Sequence, residues 1–317
     1  MLVAGEGPHV LTLAYYIAMT NPDAHVTIAL PEEGSFRDQL LGIDPIFTER
    51  SLTALGCEIT TLRSIDVSRF DRIVDVMSYS VDVEGDHDCV VGLGTIEQAL
   101  AQKLNLPICI TEEQLDSDVL KYVSARAREK IREHCTKPLK VRYGIKHVEY
   151  RGCTYVGYGL EVRYGVCRGV LKDVINVHRH CILTGITIGL NLNVDIREVP
   201  FWHGAALGKI EILTIGPTTR SMLDRGIMTT SISMSTGDSY MKILAVYRQN
   251  IVGVQIVREE GTIENIAAPL YSMLVSDKFD ALRRLLFTPV LFRGGLRTWV
   301  DHMIEMSIRE MYWLFYT

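Results

Sequence analysis

The stretch MLVAGEGPHVLTLAYYIAMTNPDAHVTIAL, residues 1–30, decides the fold. It reads as a short apolar strand, LVAG (2–5), a loop Gly5-Glu6-Gly7-Pro8-His9, an apolar run with helical spacing, VLTLAYYIAM (10–19), and a second strand, HVTIAL (25–30). Asn21-Pro22 stops the helix, because proline cannot donate into the helical ladder and pushes its predecessor out of helical conformation. Strands joined through a helix lie parallel, so this is the first unit of a parallel α/β sheet. A glycine turn between strand and helix can cradle a dinucleotide, a phosphate or S-adenosylmethionine, or can be a plain tight turn. The residues further along decide between these readings.

The alternation continues with a helix through 45–55, closed by Gly56 as a C-cap, then strands CEITTL (57–62) and RIVDVM (72–77). A fifth unit follows as CVVGLG (89–94), the helix TIEQALAQKL (95–104) and the strand PICIT (107–111). Residues 112–135 place Leu115, Val119, Tyr122, Val123 and Ile131 near one stripe with charges elsewhere, the pattern of one amphipathic linker helix. From Lys137 the period changes to two and glycines punctuate it, which predicts hairpins. A helix is expected over 170–183, strands at 193–200, 208–215, 228–234, 241–247 and 251–258, and closing amphipathic helices at 263–287 and 296–315. The expected fold class is therefore α/β: a Rossmann-like parallel-sheet domain (1–111), a linker helix (112–136), and an α+β domain with basic hairpins (137–317).

With 47% apolar residues in 317, the chain can bury a sizeable core. It has no apolar run of membrane-spanning length and no secretory leader pattern, so an intracellular, cytoplasmic protein without a membrane partner is expected. The seven cysteines are odd in number and widely spaced, with no Cys-x-x-Cys pair, which favours reduced thiols over a disulfide framework. The net charge of −5 hides an asymmetry: residues 1–111 hold 16 acidic and 6 basic side chains, whereas residues 137–180 hold 9 basic and 3 acidic. A polyanion such as RNA would meet the middle of the chain first.

A dinucleotide turn reads Gly-x-Gly-x-x-Gly, with an acidic residue after the second strand to meet a ribose hydroxyl. Here Val10 stands at the third glycine position, which disfavours a nicotinamide-dependent oxidoreductase, while Glu32, after Leu30-Pro31, supplies the carboxylate. Strand three is followed by SIDVSRFDRIVDVMSYS, which places Asp66 in a loop before Phe70-Asp71-Arg72-Ile73-Val74. Asp75 falls at the carboxyl edge of the parallel sheet, where ligands sit in such folds.

The order VAGEGPHVLTLA, HVTIAL and FTERSLTALGCEITTLRSIDVSRFDRIVDV resembles the Rossmann-like methyltransferase family that includes the 25S rRNA uridine-N3 methyltransferase, over residues 2–77. The resemblance implies an S-adenosyl-L-methionine cofactor held by Gly5, Glu6 and Gly7, with Asp66 near the adenine. Methyl transfer needs orientation and desolvation rather than a reactive triad, and Asp75 is the candidate catalytic residue on that reading.

Lys140, Arg142, Lys146 and Arg151, interleaved with tyrosines, form the candidate RNA-binding surface. No metal site is expected, since the histidines at 178 and 180 point to different faces of a helix and the acidic loop at 82–88 lacks calcium-loop spacing. The leading expectation is a methyltransferase-like protein acting on RNA. The alternative is a non-enzymatic structural or assembly protein, viral or ribonucleoprotein, that keeps a degenerate Rossmann fold and forms a homo-oligomer or larger assembly through the closing helices.

Overall fold

Local pattern and burial agree at the start of the chain: Leu2, Val3 and Ala4 are fully buried in β1 (Leu2–Gly5), which leads into α1 (Pro8–Thr20) and β2 (Thr27–Leu30). The computed structural model describes residues 1–259 apart from 128, 133, 165–166, 200, 236–237 and 247–249. After β2 come α2 (Glu49–Ala54), β3 (Glu58–Thr61), β4 (Ile73–Val81), β5 (Cys89–Val91), α3 (Thr95–Leu104), β6 (Ile108–Cys109), α4 (Ser117–Arg126) and β7 (Ile131–Arg132). Then follow β8 (Pro138–Ile145), β9 (Thr154–Gly157), β10 (Glu161–Tyr164), β11 (Cys167–Val170) and α5 (Val174–Gly189). The described chain closes with β12 (Trp202–Leu207), β13 (Ile210–Ile215), α6 (Thr219–Leu223), β14 (Thr230–Ser235), β15 (Ser239–Val246) and β16 (Asn250–Glu259).

The first sheet runs β3-β2-β1-β4-β8-β5-β6-β7, with β9 also on β4. Strands β3, β2, β1 and β4 are parallel, as expected of a Rossmann-like sheet. Strand β4 divides its length between two partners: Val74–Met77 pair in parallel with β9, and Ser78–Val81 pair antiparallel with β8. Thus β8 and β9, which lie past residue 137, hydrogen-bond into the first sheet, and among the described residues of the stretch that reads as hairpins only β10 and β11 pair as one. A period of two fits any half-buried strand and does not say which partner it finds.

Helix α1 is buried on nearly every side because α5 lies against it, and every residue of α5 is buried. Gly185 of α5 makes that contact: a Cβ there would stand 2.7 Å from Tyr16 Cβ and 3.0 Å from the Leu13 carbonyl oxygen. Helix α5 starts at Asp173, whose carboxylate accepts from Ile175 N at 2.9 Å and from the Thr95 hydroxyl at 2.8 Å, tying it to the start of α3.

The single linker helix expected over 112–136 is shorter in the structure, spanning Ser117–Arg126, and the chain then adds β7 to the first sheet. The expectation of reduced thiols is corrected for one pair: Cys89 and Cys135, 46 residues apart, form a disulfide with Cα atoms 5.9 Å apart. Sequence spacing could not show this, because the pairing of β5 with β8 is what brings the two together. The other described cysteines are free.

A five-stranded antiparallel sheet, β12-β13-β16-β15-β14, follows the parallel part. The two parts meet where Lys242 of β15 reaches Asp116 at 2.9 Å and Asp118 at 2.8 Å, at the start of α4. The strand expected over 193–200 is absent among the described residues, that over 208–215 appears as β13, and β12, which pairs with it, was not expected. The closing helices expected at 263–287 and 296–315, with the subunit contacts assigned to them, lie outside the described residues. Among the described residues, no helix is long and apolar enough to cross a membrane.

Candidate functional site at the first glycine turn

The turn between β1 and α1 is built around two glycines with different tasks. Gly5 has φ +140°, and a Cβ there would meet the Val76 carbonyl oxygen at 2.6 Å and Val10 Cγ2 at 2.9 Å. Val10, at the position of the third glycine of a dinucleotide turn, therefore fits by using the space that Gly5 leaves empty. Gly7 has φ +76° with no atom within 4 Å of its absent Cβ, and it is the N-cap of α1 without a side-chain cap. Pro8 then opens the helix with a preset φ. The amides of His9 and Val10 belong to the first turn and have no acceptor within the helix, which makes this terminus a seat for an anion. The Gly7 amide donates to the Ser35 carbonyl at 2.8 Å.

A cavity of about 260 Å³ opens here, walled by the turn Glu6–His9, the segment Ser35–Leu40, the middle of β4 from Val76 to Tyr79, and Tyr158. Tyr79 donates its hydroxyl to both carboxylate oxygens of Asp38, at 2.9 and 3.0 Å. Burial and then the Asp38 charge push the Tyr79 phenol far above its ordinary range. The Tyr158 ring lies edge-on to Tyr79, and its hydroxyl is 3.3 Å from His9 Nε2. His9 is 3% exposed, and its Nδ1 has no partner. Burial, with His178 nearby, keeps this imidazole neutral well below its usual range.

Behind the turn, three ionisable groups are linked. Asp75, fully buried on β4, accepts from His147 N at 2.8 Å and Val148 N at 3.0 Å, and its other oxygen lies 3.1 Å from His147 Nδ1. That contact leaves His147 Nε2 facing Glu6 at 3.8 Å. Burial opposes the His147 charge, but the Asp75 and Glu6 contacts outweigh it and lift the pKa to about 9. In return, the hydrogen bond from His147 holds Glu6 below the ordinary carboxylate range.

The structure thus brings Gly5, Glu6, Gly7 and Asp75 into one place. Glu32 is exposed on the turn after β2 and is not part of the cavity wall. Asp66 lies elsewhere: it accepts from Ser68 N at 3.1 Å and Ser68 Oγ at 2.7 Å as the cap of its own short turn, and lines a separate shallow depression beside β3 with Arg69 and Glu58. Lys140, Arg142, Lys146 and Arg151 are all exposed; Lys140 and Arg142 share a face of β8, and the Lys146 ammonium lies over the Tyr155 ring at 4.4 Å. His147, Asp38 and Tyr79 carry no local sequence signal that marks them as site residues. Asp75, expected at the carboxyl edge of the sheet, is instead the third residue of β4, level with Ala4 of β1, because β4 runs on to Val81; nothing local marks a histidine 72 residues later as its partner.

No protein-family model and no curated protein matches the sequence. Solved structures do match. A pyridine nucleotide-disulfide family oxidoreductase from Enterococcus faecalis V583 aligns over 98% of both chains at 11% identity with a TM-score of 0.65. A water-forming NADH oxidase from Lactobacillus brevis aligns over 98% of both at 12% identity and 0.62. A NAD-dependent persulfide reductase from A. fulgidus aligns over 98% of this chain and 83% of its own, at 11% identity and 0.61. At such identities the likeness is one of fold.

These matches overturn the methyltransferase resemblance and, with it, S-adenosylmethionine as cofactor and RNA binding as an activity. The resemblance rested on the glycine turn and the first strands, which parallel α/β folds with quite different ligands share. The basic residues taken for an RNA surface are the outward positions of a half-buried strand and its following turn. The matches lend no support to the non-enzymatic assembly alternative either.

Proposed function

We propose that the chain binds a flavin or pyridine dinucleotide at the Gly5–Pro8 turn and acts as an oxidoreductase. The observation that carries this reading is the position of the cavity. It opens at the carboxyl end of β1, beneath the N-terminus of α1 and beside the point where β4 passes from β9 to β8, and the strand order runs outward from β1 to β2 and β3 on one side and to β4 and β9 on the other. In open parallel sheets, ligands sit at that switch point. The fold likeness to an NADH oxidase and a NAD-dependent persulfide reductase supports the same class of cofactor.

The residues present fit such a group. The His9 and Val10 amides, the open face of Gly7 and the unpartnered His9 Nδ1 suit a diphosphate, and the Gly7 amide joins them once Ser35 releases it. Glu32 is the carboxylate available for a ribose hydroxyl after β2. At about 260 Å³ the cavity lies just below the roughly 300–1,000 Å³ of typical small-molecule pockets, so it takes part of a dinucleotide and the rest extends past its open edge. A bound nicotinamide or flavin ring would supply two-electron transfer; the chain's own part is to hold the diphosphate, orient the molecule and exclude water along Tyr79 and Tyr158. No cysteine is among the described residues of the cavity wall, so dithiol exchange there is not included.

Calorimetric titration of the full chain with FAD, NADH and NADPH tests the reading, together with the absorbance of the purified protein in the flavin band. Micromolar binding of one of these that is lost in Gly7→Val, whose side chain would project into the open face of the turn, is the expected result. No bound flavin and no heat with any of the three would overturn it.

A further inference from the structure

We infer that His147 sets the charge of the seat at the glycine turn: protonated, it neutralises Glu6 and admits a phosphate-bearing ligand; deprotonated, it leaves Glu6 to repel that ligand. This inference rests on the dinucleotide reading of the same turn and adds its control.

The cavity wall carries two carboxylates, Glu6 and Asp38, and one cation, Arg37, which is paired with Asp44 at 3.1 Å. A doubly charged diphosphate entering beside Glu6 therefore needs a compensating charge, and His147 Nε2, 3.8 Å from Glu6, is the group placed to give it. Asp75 is the positioning residue. It is fixed by two backbone amides, so it holds the ring with Nδ1 inward and Nε2 toward Glu6 whatever the state of the cavity. When His147 loses its proton, Asp75 keeps both backbone bonds, so the turn itself is not dismantled.

The groups facing His147 are Glu6 from the β1–α1 turn and Asp75 from β4, with the Cys153 thiol beside Asp75 and Lys146 adjacent in the chain. Around the cavity stand Asp38, Arg37, His9, Tyr79 and Tyr158. The imidazole of His147 has a pKa of about 9, whereas burial pushes Cys153 up to about 11, raises the Tyr79 and Tyr158 phenols well above their ordinary range, and keeps His9 neutral.

The test is calorimetric titration with ADP-ribose, whose diphosphate stays doubly charged across the range, from pH 6.5 to pH 10. The wild-type Kd is expected to be flat to about pH 8.5 and then to rise several-fold by pH 10, toward the affinity of the neutral form. His147→Gln is expected to weaken binding about tenfold at pH 7 and to flatten the profile. Glu6→Gln is expected to bind as well as wild type at pH 7 and to keep its affinity at pH 10, and the double variant to recover what His147→Gln lost. Glu6 is half exposed, so Glu6→Gln reads out even where His147→Gln fails to fold. Wild-type binding with a flat profile, or a Glu6→Gln profile that still collapses above pH 9, overturns the role of His147 while leaving the seat in place. No binding by wild type or Glu6→Gln at any pH overturns the seat and this inference with it.

Discussion

At Gly5 the absence of a single carbon decides whether β1 can pass directly beneath α1. A methyl group there meets the Val76 carbonyl at 2.6 Å and Val10 at 2.9 Å, on a backbone at φ +140°. Gly5→Ala is therefore expected to cost at least about 2 kcal/mol in urea unfolding. Gly7→Ala, with open space around it and only its φ of +76° to resist, should cost about 1 kcal/mol. Equal costs would show that the close approach to Val76 is not what constrains the turn. The same pair shows why Val10 misleads when read alone. Its side chain departs from the glycine pattern, yet the space it needs is supplied by Gly5, a compensation that the one-dimensional motif does not record.

At the scale of elements, the pairing of α1 with α5 holds the turn in place from behind. Both helices are mostly apolar, and the sequence marks each as buried without saying that they meet. They meet at Gly185, whose Cβ would lie 2.7 Å from Tyr16 Cβ. Gly185→Leu should then act as a wedge and destabilise the chain by about 3 kcal/mol, seen as an earlier urea midpoint with an unchanged slope. A loss under about 0.5 kcal/mol would mean that the helices separate without consequence. The strands show the same division. β1 and β2 are legible as short apolar runs, and β3, EITT, as a β-branched run after the Gly56 turn; each has its connection beside it in sequence and appears where expected. β8 and β9 were legible as strands but not as partners of β4, because backbone hydrogen bonding is indifferent to sequence distance.

Over the whole molecule, buried histidines link stability to pH. His9, His178 and His180 are each at most 3% exposed, and burial holds them neutral, at about 3 for His178 and about 4 for His180. In the unfolded chain they take up protons below about pH 6.5, so acid favours unfolding between there and pH 4. Asp173, which burial lifts to about 6, and Glu97, also lifted by burial, act in the opposite sense, but His203, which burial holds at about 4, and Glu6, held low by His147, add to the acid-sensitive side. His147 has a raised pKa of about 9, so its stabilisation is complete below pH 6.5 and fades as the pH climbs through 9. Urea midpoints should therefore peak near neutrality, fall toward pH 4 and fall again toward pH 10; a midpoint that climbs from pH 6.5 to 4 would contradict the buried neutral histidines. What the sequence determined by itself is the β-α-β alternation and the glycine turn, because each follows from spacing and propensity within a few residues. Only the tertiary structure decided that Asp75 and Glu6 share His147, that Ser35 and Asp38 wall the cavity, and that Asp66 serves its own turn elsewhere. The physical reason is that side-chain pairing depends on which strands and loops become neighbours, and long-range sheet pairing fixes that.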